Sequence, residues 1–221
     1  LLRVSNSDAY GFSQRVDGLG LACTLLGAEA IGAVIQSTEP KNYRGTRDGF
    51  DYDLFWARAR FCGEAAQSIA MQVNPQAAIT AYTAALVHDI GRLGILHAAP
   101  KSYTSLTGEL AGPARADIEM RVYHMTATEA GYMLARKWNL PPNLAEAIRF
   151  HREPERARNA KELTNIVALA VMMADAFERD TTFNLDRAEG LCAALKLSRS
   201  ETIQIFQDTR ESVGAQETHA G

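Results

Sequence analysis

The segment Val87-His88-Asp89-Ile90-Gly91-Arg92-Leu93 carries the most informative pattern in this chain of 221 residues. It ends a helical pattern that begins near Gln76. An imidazole beside a carboxylate, followed closely by glycine, can supply one nitrogen and one oxygen ligand to a metal ion from a rigid turn. Taken alone, the dipeptide is more often an ordinary histidine that answers the negative end of a helix dipole. The surrounding sequence therefore has to decide between these two interpretations.

Outward from that segment, almost every readable stretch has helical periodicity, and no stretch alternates in the manner of a half-buried strand. The seven prolines all fall between the helical stretches, where a missing N–H costs nothing. The sequence therefore predicts an all-α fold. The predicted helices cover residues 21–35, 54–73, 76–90, 115–138, 143–151, 162–178, 186–195 and 199–212.

The polar, glycine-bearing stretch at residues 39–50 is the best candidate for a boundary inside the chain. We expect a small N-terminal helical subdomain over residues 1–40, a larger helical bundle over residues 41–213, and a frayed tail over residues 214–221, which has no apolar anchor. Ser198 and Glu201 form a predicted capping box ahead of the last helix.

Composition excludes several classes of protein. A net charge of −3 argues against a general nucleic-acid binder, which concentrates Lys and Arg on one face. No apolar run approaches the ~20 residues of a membrane span, and no signal-peptide pattern follows Leu1, so we expect a cytoplasmic protein. One charge-mixed cluster is interpreted as a solvated face rather than an anion site. It comprises Arg149, Arg152, Arg156 and Arg158 with Glu153 and Glu155.

Seven segments in order resemble the HDOD domain, a bacterial relative of the HD-domain phosphohydrolases, over nearly the whole chain. The resemblance implies an HD-like helical bundle with a small N-terminal helical subdomain. It begins inside a family helix at Leu1, so we expect the chain to be part of a longer protein. The segments are LLRVSNSDAYG (1–11), LLGAEAI (25–31), FWARA (55–59), HDIGRL (88–93), Gly131 with LARKWNLP (134–141), AIRFH (147–151) and IVALAVMMAD (166–175).

The same resemblance implies where a metal site would lie. In catalytic HD enzymes an early histidine, the His-Asp pair and a later aspartate hold the metal. His88 and Asp89 match the pair, and Asp175 matches the late aspartate. The early histidine falls on Arg58, so that ligand is absent.

Related cyclic-dinucleotide phosphodiesterases have further histidines, and only some of them have a counterpart in this chain. His151 matches the first of a pair whose second member is Arg152 in this chain. The resemblance implies a histidine four residues before Gly131, but this chain has Ala127 there. His124 can replace that histidine only if the helix is shifted. His151 shares the inward stripe of the helix that contains it.

We hypothesise that the Arg58 guanidinium occupies the place of the metal ion, bridging Asp89 and Asp175, and so excludes a metal. The alternative is a residual site for one or two divalent transition-metal ions. Its ligands would be His88, Asp89, His151 and Asp175.

Three functions remain open at this point. The leading hypothesis is a non-catalytic bacterial signal-transduction output module within a longer response-regulator-type protein. It would bind a partner signalling protein, a fused upstream receiver-type domain or a nucleotide-like ligand, with no catalytic residue. The competing hypothesis is a metal-dependent phosphohydrolase of the HD superfamily, in which the metal activates water. The third is a purely structural or dimerisation role.

Overall fold

The computed structural model describes residues 1–10, 15–26, 44–108, 110 and 112–219. Within them the chain is helical except for turns and one short hairpin, which confirms the predicted all-α class. In chain order the elements are α1 (Leu2–Ser5), α2 (helical over residues 19–26), β1 (Thr46–Arg47), β2 (Phe50–Asp51), α3 (Tyr52–Val73), α4 (Ala78–Leu86), α5 (Ile90–Ala98), α6 (Pro100–Thr107), α7 (Gly112–Tyr123), α8 (Ala127–Lys137), α9 (Pro142–Phe150), α10 (Lys161–Glu178), α11 (Leu185–Leu195) and α12 (Arg199–His219), with 3₁₀ turns at Pro75–Ala77 and Pro154–Arg156.

The chain divides into two compact units. Unit 1 comprises Leu1–Asp53 and Asp89–Ala145, and unit 2 comprises Leu54–His88 and Glu146–Gly221. The predicted subdomain boundary at residue 40 lies outside the described residues, so the 1–40 subdomain stays a prediction. In the described residues, no helix is both long and apolar enough to cross a lipid bilayer.

A two-stranded antiparallel hairpin in unit 1 is the one departure from helix that the periodicity did not predict. Thr46 pairs with Asp51 and Arg47 with Phe50. The two residues between the strands, Asp48 and Gly49, have φ values of 49° and 78°. An Asp-Gly pair is a strong signal for a two-residue hairpin turn because both positions need a positive φ. Strands of two residues are too short to show alternation.

The prediction of one continuous helix over residues 115–138 is wrong. The chain forms α7 and α8 instead, separated by a turn in which His124 has a φ of 54°. The side-chain oxygen of Thr126 accepts a hydrogen bond from the backbone N–H of Glu129 and caps the start of α8. A new N-cap starts a second helix although the apolar pattern runs on through the turn.

The helix predicted to end at residue 90 ends at Leu86, and two further helices follow that the sequence did not predict. His88 and Asp89 therefore lie in the turn between α4 and α5. Gly91 explains why α5 is hard to predict. A glycine is unfavourable in a helix, and here it is needed because of a contact with another helix. A Cβ atom at this position would lie 1.9 Å from the carbonyl oxygen of Ala127 and 2.4 Å from the backbone nitrogen of Gly131. Only glycine lets α5 pack this closely on α8.

The core of unit 2 is built on α10, whose apolar side chains are almost all buried. The Phe61 ring of α3 stacks on Phe177 of α10 at 4.4 Å between ring centroids, and it meets Phe206 of α12 edge-on at 6.0 Å. The predicted capping box is confirmed, since Ser198 and Glu201 exchange backbone-to-side-chain hydrogen bonds in both directions. α12 continues to His219, into the stretch predicted to fray.

Candidate functional site

Three side chains of unit 2 meet around the guanidinium of Arg58, which is 4% exposed. Its Nε donates a hydrogen bond to Oε2 of Glu178 at 2.9 Å, and its Nη1 lies 2.9 Å from Nε2 of His88. Its Nη2 donates to Oδ1 of Asp175 in a salt bridge. The planar guanidinium thus engages one imidazole and two carboxylates at once, and these side chains are called the Arg58 cluster below.

The elements of unit 2 account for this convergence. Asp175 and Glu178 are three residues apart on α10, so both carboxylates project from one face of that helix. Arg58 lies on α3, and His88 follows the end of α4 by two residues. The expected ion pair between Arg58 and Asp175 is present. Glu178 was not predicted, although its spacing from Asp175 was a readable signal.

The hydrogen bonds of His88 define the state of its ring. Nδ1 lies 2.6 Å from the carbonyl oxygen of Ala85, and a carbonyl oxygen can only accept. Nδ1 therefore carries a proton, and Nε2 accepts from Nη1 of Arg58 in the neutral ring. Metal-binding histidines use the same orientation, with one nitrogen donating to a carbonyl and the other directed at the metal. In this chain the second nitrogen is directed at a guanidinium.

His151 and Arg152 complete the surroundings of the cluster. The His151 ring meets the His88 ring edge-to-face at 5.1 Å between centroids, and its Nδ1 lies 2.9 Å from the carbonyl oxygen of Ile148. Both rings are buried, as the inward stripe predicted for His151. Nη1 of Arg152 lies 3.9 Å from Oδ2 of Asp175. Two fixed cations therefore face two carboxylates, which balances the charge when both acids are ionised.

The side chains of the Arg58 cluster do not form a binding site for the metal ion that an HD-type site would hold. Nε2 of His88 and Oδ1 of Asp175, two atoms that would coordinate a metal, are both occupied by Arg58. A metal ion near them would also be repelled by the guanidinium charge. Across the described residues, no group of three or more His, Cys, Asp or Glu side chains is arranged to hold a metal.

Asp89 belongs to unit 1, where its carboxylate lies in a second buried network. Its Oδ2 is 3.4 Å from Nη1 of Arg92 and 3.5 Å from Nη2 of Arg115. Nε of Arg115 is in turn 3.5 Å from Oε1 of Glu119, a carboxylate that is almost fully buried. Sequence reasoning did not single out these two arginines, and the hypothesised bridge from Arg58 to Asp89 stays a prediction.

Glu119 joins three elements of unit 1. Its Oε1 accepts a hydrogen bond from the hydroxyl of Tyr103 at 2.7 Å, and its Oε2 accepts from the backbone N–H of Ala127 at 2.7 Å. Burial raises the pKa of the Tyr103 phenol far above its usual range, and the nearby Glu119 carboxylate contributes in the same direction. The phenol therefore stays a donor at neutral pH. At Ala127, where a metal-binding histidine was expected, the backbone instead completes this network.

His124 does not take the place of the histidine that is missing at position 127. It lies outside both α7 and α8, in the turn between them, and its side chain is exposed. An exposed side chain in a turn has none of the burial that fixes His88 and His151. Of the predicted positions, unit 2 therefore brings together Arg58, His88, His151 and Asp175, whereas Asp89 and His124 belong to unit 1.

Comparisons with known proteins agree with this fold. A family model of the HDOD domain matches residues 1–154. An uncharacterized protein of Treponema pallidum (strain Nichols) is 26% identical over 83% of this chain and 36% of that protein, so the chain spans about a third of that curated relative.

Two solved structures show the same fold at low identity. The MmoQ response regulator of Methylococcus capsulatus matches with a TM-score of 0.74 and 21% identity, covering 93% of this chain and 81% of that one. An HDOD domain protein of Geobacter sulfurreducens matches with a TM-score of 0.59 and 17% identity, covering 96% and 79% respectively. With a family model that covers more than half of its residues, this chain belongs to the HDOD domain family.

Proposed function

We propose that this chain is a non-catalytic signal-transduction output module that keeps an HD-type scaffold and has replaced its metal with an arginine. The observation that carries the proposal is the position of the Arg58 guanidinium, against Nε2 of His88 and in a salt bridge with Asp175. A metal ion at this place would polarise a phosphoester and activate water. A guanidinium supplies the positive charge but only donates hydrogen bonds, so it is not a Lewis acid that lowers the pKa of a coordinated water molecule.

The replacement keeps the structural role of the metal. Without a cation, the carboxylates of Asp175 and Glu178 would repel each other on one face of α10. Arg58 binds both carboxylates through hydrogen bonds of fixed geometry and joins α3 to α10, and Arg152 supplies the second positive charge. The scaffold thus stays folded without metal, as a module that works through binding requires.

The proposed role is recognition of a partner signalling protein or a nucleotide-like ligand. The likeness to a protein described as a response regulator supports this role, since such proteins couple an input domain to an output domain. The curated relative is much longer than this chain, which leaves room for a fused receiver-type domain in the full-length protein. We propose that such a domain lies upstream and delivers the input signal.

One observation favours the second candidate, a metal-dependent phosphohydrolase. His88 and His151 both direct Nδ1 towards a backbone carbonyl, which is how metal-binding histidines are held. For this candidate, Arg58 would have to leave the cluster so that a metal could reach His88 and Asp175.

Metal analysis combined with a hydrolysis assay separates the two candidates. The wild-type protein, purified after growth with added manganese and iron, is expected to carry no stoichiometric metal and to leave bis-p-nitrophenyl phosphate uncleaved. Arg58→His restores the expected ligand type and should raise metal binding, whereas Arg187→His on the exposed face of α11 is the matched control. Stoichiometric metal together with phosphodiester turnover in the wild-type protein would defeat the proposal.

A further inference from the structure

Unit 2 carries a surface depression that is separate from the Arg58 cluster. Its volume is about 460 Å³, within the range of about 300–1,000 Å³ that is usual for small-molecule sites. None of its lining residues belongs to the Arg58 cluster, so the following inference does not depend on the proposed function. The lining residues are Phe150, Glu155, Arg156, Ala157, Arg158 and Lys161.

The lining is strongly positive although the whole chain carries a net charge of −3. Three of the six lining side chains are cations and one is an acid. Arg156 is neutralised by Glu153, with Nη1 and Oε2 2.6 Å apart. The side chains of Arg158 and Lys161 have no acidic partner within the described part of the chain. The sequence predicted a solvated, charge-mixed face, and in the structure these two cations border one concave surface together with Glu155, with which neither forms a salt bridge.

The start of α10 borders the same depression and adds donors. The Glu146 carboxylate accepts hydrogen bonds from the backbone N–H groups of residues 158–160. The next three N–H groups, of Lys161, Glu162 and Leu163, find no acceptor among the described residues, and the N-cap residue Ala160 provides no side-chain cap. This helix has 18 residues, so its positive end is fully developed. Free N–H groups at such an end favour a phosphate group.

An aromatic platform lies beside these cations. The guanidinium carbon of Arg156 is 5.2 Å from the centre of the Phe150 ring, and that of Arg149 is 5.1 Å from it. The contact with Phe150 and the ion pair with Glu153 fix the guanidinium plane of Arg156. Planar guanidinium and aromatic groups are surfaces on which nucleobases stack.

We propose that this depression binds a nucleoside phosphate. The phosphate is held by Arg158, Lys161 and the free N–H groups at the start of α10, and the base stacks on the platform of Phe150 and Arg156. The cations and N–H groups supply affinity for the phosphate, and the platform supplies the preference for a nucleotide over a bare phosphate ion.

Isothermal titration calorimetry of the whole chain with adenosine monophosphate, inorganic phosphate and adenosine tests both parts. Adenosine monophosphate should bind more tightly than either fragment. The double variant Arg158→Gln/Lys161→Gln should weaken that binding by about tenfold or more, because two charge-assisted phosphate contacts are lost. The control is Arg187→Gln/Lys196→Gln, which removes the same charge from exposed positions of α11 and its C-cap and should leave affinity within about twofold.

Three results would overturn the proposal. The first is an absence of saturable binding of adenosine monophosphate at millimolar concentration. The second is equal weakening by the two double variants, which would indicate a general effect of net charge. The third is equal affinity for adenosine monophosphate and inorganic phosphate in both the wild-type protein and Phe150→Leu, which would remove the role of the platform. Circular dichroism of each variant checks that the fold is intact.

Discussion

Arg58 carries a charge that does not titrate in the physiological range, whereas a metal ion is retained only while its ligands stay deprotonated. A guanidinium also has a fixed donor geometry. In this chain three of its nitrogens meet three different partners, which a lysine ammonium at the same position would not match. Under the proposed function, the exchange of one metal ligand for a cation changes both the chemistry of the site and the source of its stability.

Replacement of Arg58 by alanine should lower the free energy of unfolding by about 3 kcal/mol. The variant removes the cation that binds both Asp175 and Glu178, leaves only Arg152 at 3.9 Å from Asp175, and removes the donor to Nε2 of His88. These carboxylates are 22% and 25% exposed, so water relieves part of the penalty and the loss lies at the low end for a broken buried ion pair. Urea unfolding at pH 7 measures the effect.

A double-mutant cycle identifies the source of this loss. Asp175→Asn removes one stranded charge, so Arg58→Ala/Asp175→Asn should be more stable than the sum of the two single effects predicts, by about 1 kcal/mol or more. Arg187→Ala, at an exposed site on α11, should change stability by less than about 0.5 kcal/mol. Strict additivity would mean that the ion pair contributes nothing.

The stabilising role of the Glu146 carboxylate can be tested through the pH dependence of unfolding. Desolvation raises the pKa of its carboxyl, but the hydrogen bonds from the backbone N–H groups of residues 158–160 outweigh it and the pKa is lowered. A carboxyl whose pKa is lower in the folded state stabilises the fold at any pH above its pKa in the unfolded chain, which is about 4.3. This stabilisation is lost as the pH falls through the pKa of the folded state. Glu146→Gln should therefore lower stability at pH 7, by less than about 1 kcal/mol because solvent screens this largely accessible carboxylate, and progressively less below pH ~4.

Unfolding of the wild-type protein, Glu146→Gln and Glu189→Gln in urea between pH 3 and pH 7 checks this. Glu189 is an exposed residue of α11, so its variant serves as the control for the loss of one negative charge. A difference between wild type and Glu146→Gln that stays constant across this pH range would contradict the predicted role of the carboxylate.

At the scale of elements, sequence patterns predicted helices whose bounds depend on neighbouring residues in the chain. The helix predicted over residues 162–178 is α10 with one residue added. The break before α8 was also readable, since Thr126 and Glu129 have the spacing of a capping signal although the apolar pattern continues across them. α5 is different, because its glycines disfavour a helix when they are read alone. Only the backbone of α8 explains Gly91, and that contact is not written in the local sequence.

Two glycine-to-alanine substitutions should have opposite effects on stability. Gly91→Ala places a Cβ atom against the backbone of α8, which cannot move aside as a flexible side chain would, so we expect a loss of about 3 kcal/mol or more. Gly190 lies in the interior of α11 with open space around its Cα atom, so Gly190→Ala should gain about 0.5–1 kcal/mol. Thermal unfolding of both variants measures the difference.

These variants share the same chemical change and differ only in what surrounds the added methyl group. If Gly91→Ala proved as stable as the wild-type protein, the close packing of α5 on α8 would not exist. A loss of stability in Gly190→Ala would mean that α11 does not have the open surface described for it.

At the scale of the whole molecule, the boundary between the two units falls between His88 and Asp89. His88 is held by Arg58 in unit 2, and Asp89 is held by Arg92 and Arg115 in unit 1. The sequence identified the dipeptide as special, and its assignment of both residues to one site stays a prediction. The partner Arg115 lies 26 residues away with no local signal, so sequence spacing could not have found it.

Each residue of this dipeptide should therefore stabilise its own unit. Asp89→Ala removes the carboxylate that Arg92 and Arg115 of unit 1 share, and His88→Ala removes a hydrogen-bond acceptor from Arg58 in unit 2. Residue-resolved hydrogen exchange separates the effects, because amide protection reports the free energy of local opening. We expect Asp89→Ala to speed exchange in α7 roughly ten- to a hundredfold, and His88→Ala to do so in α10, with the other helix within about twofold. Equal acceleration of both helices in both variants would mean that the two units open together, and that neither residue stabilises one unit alone.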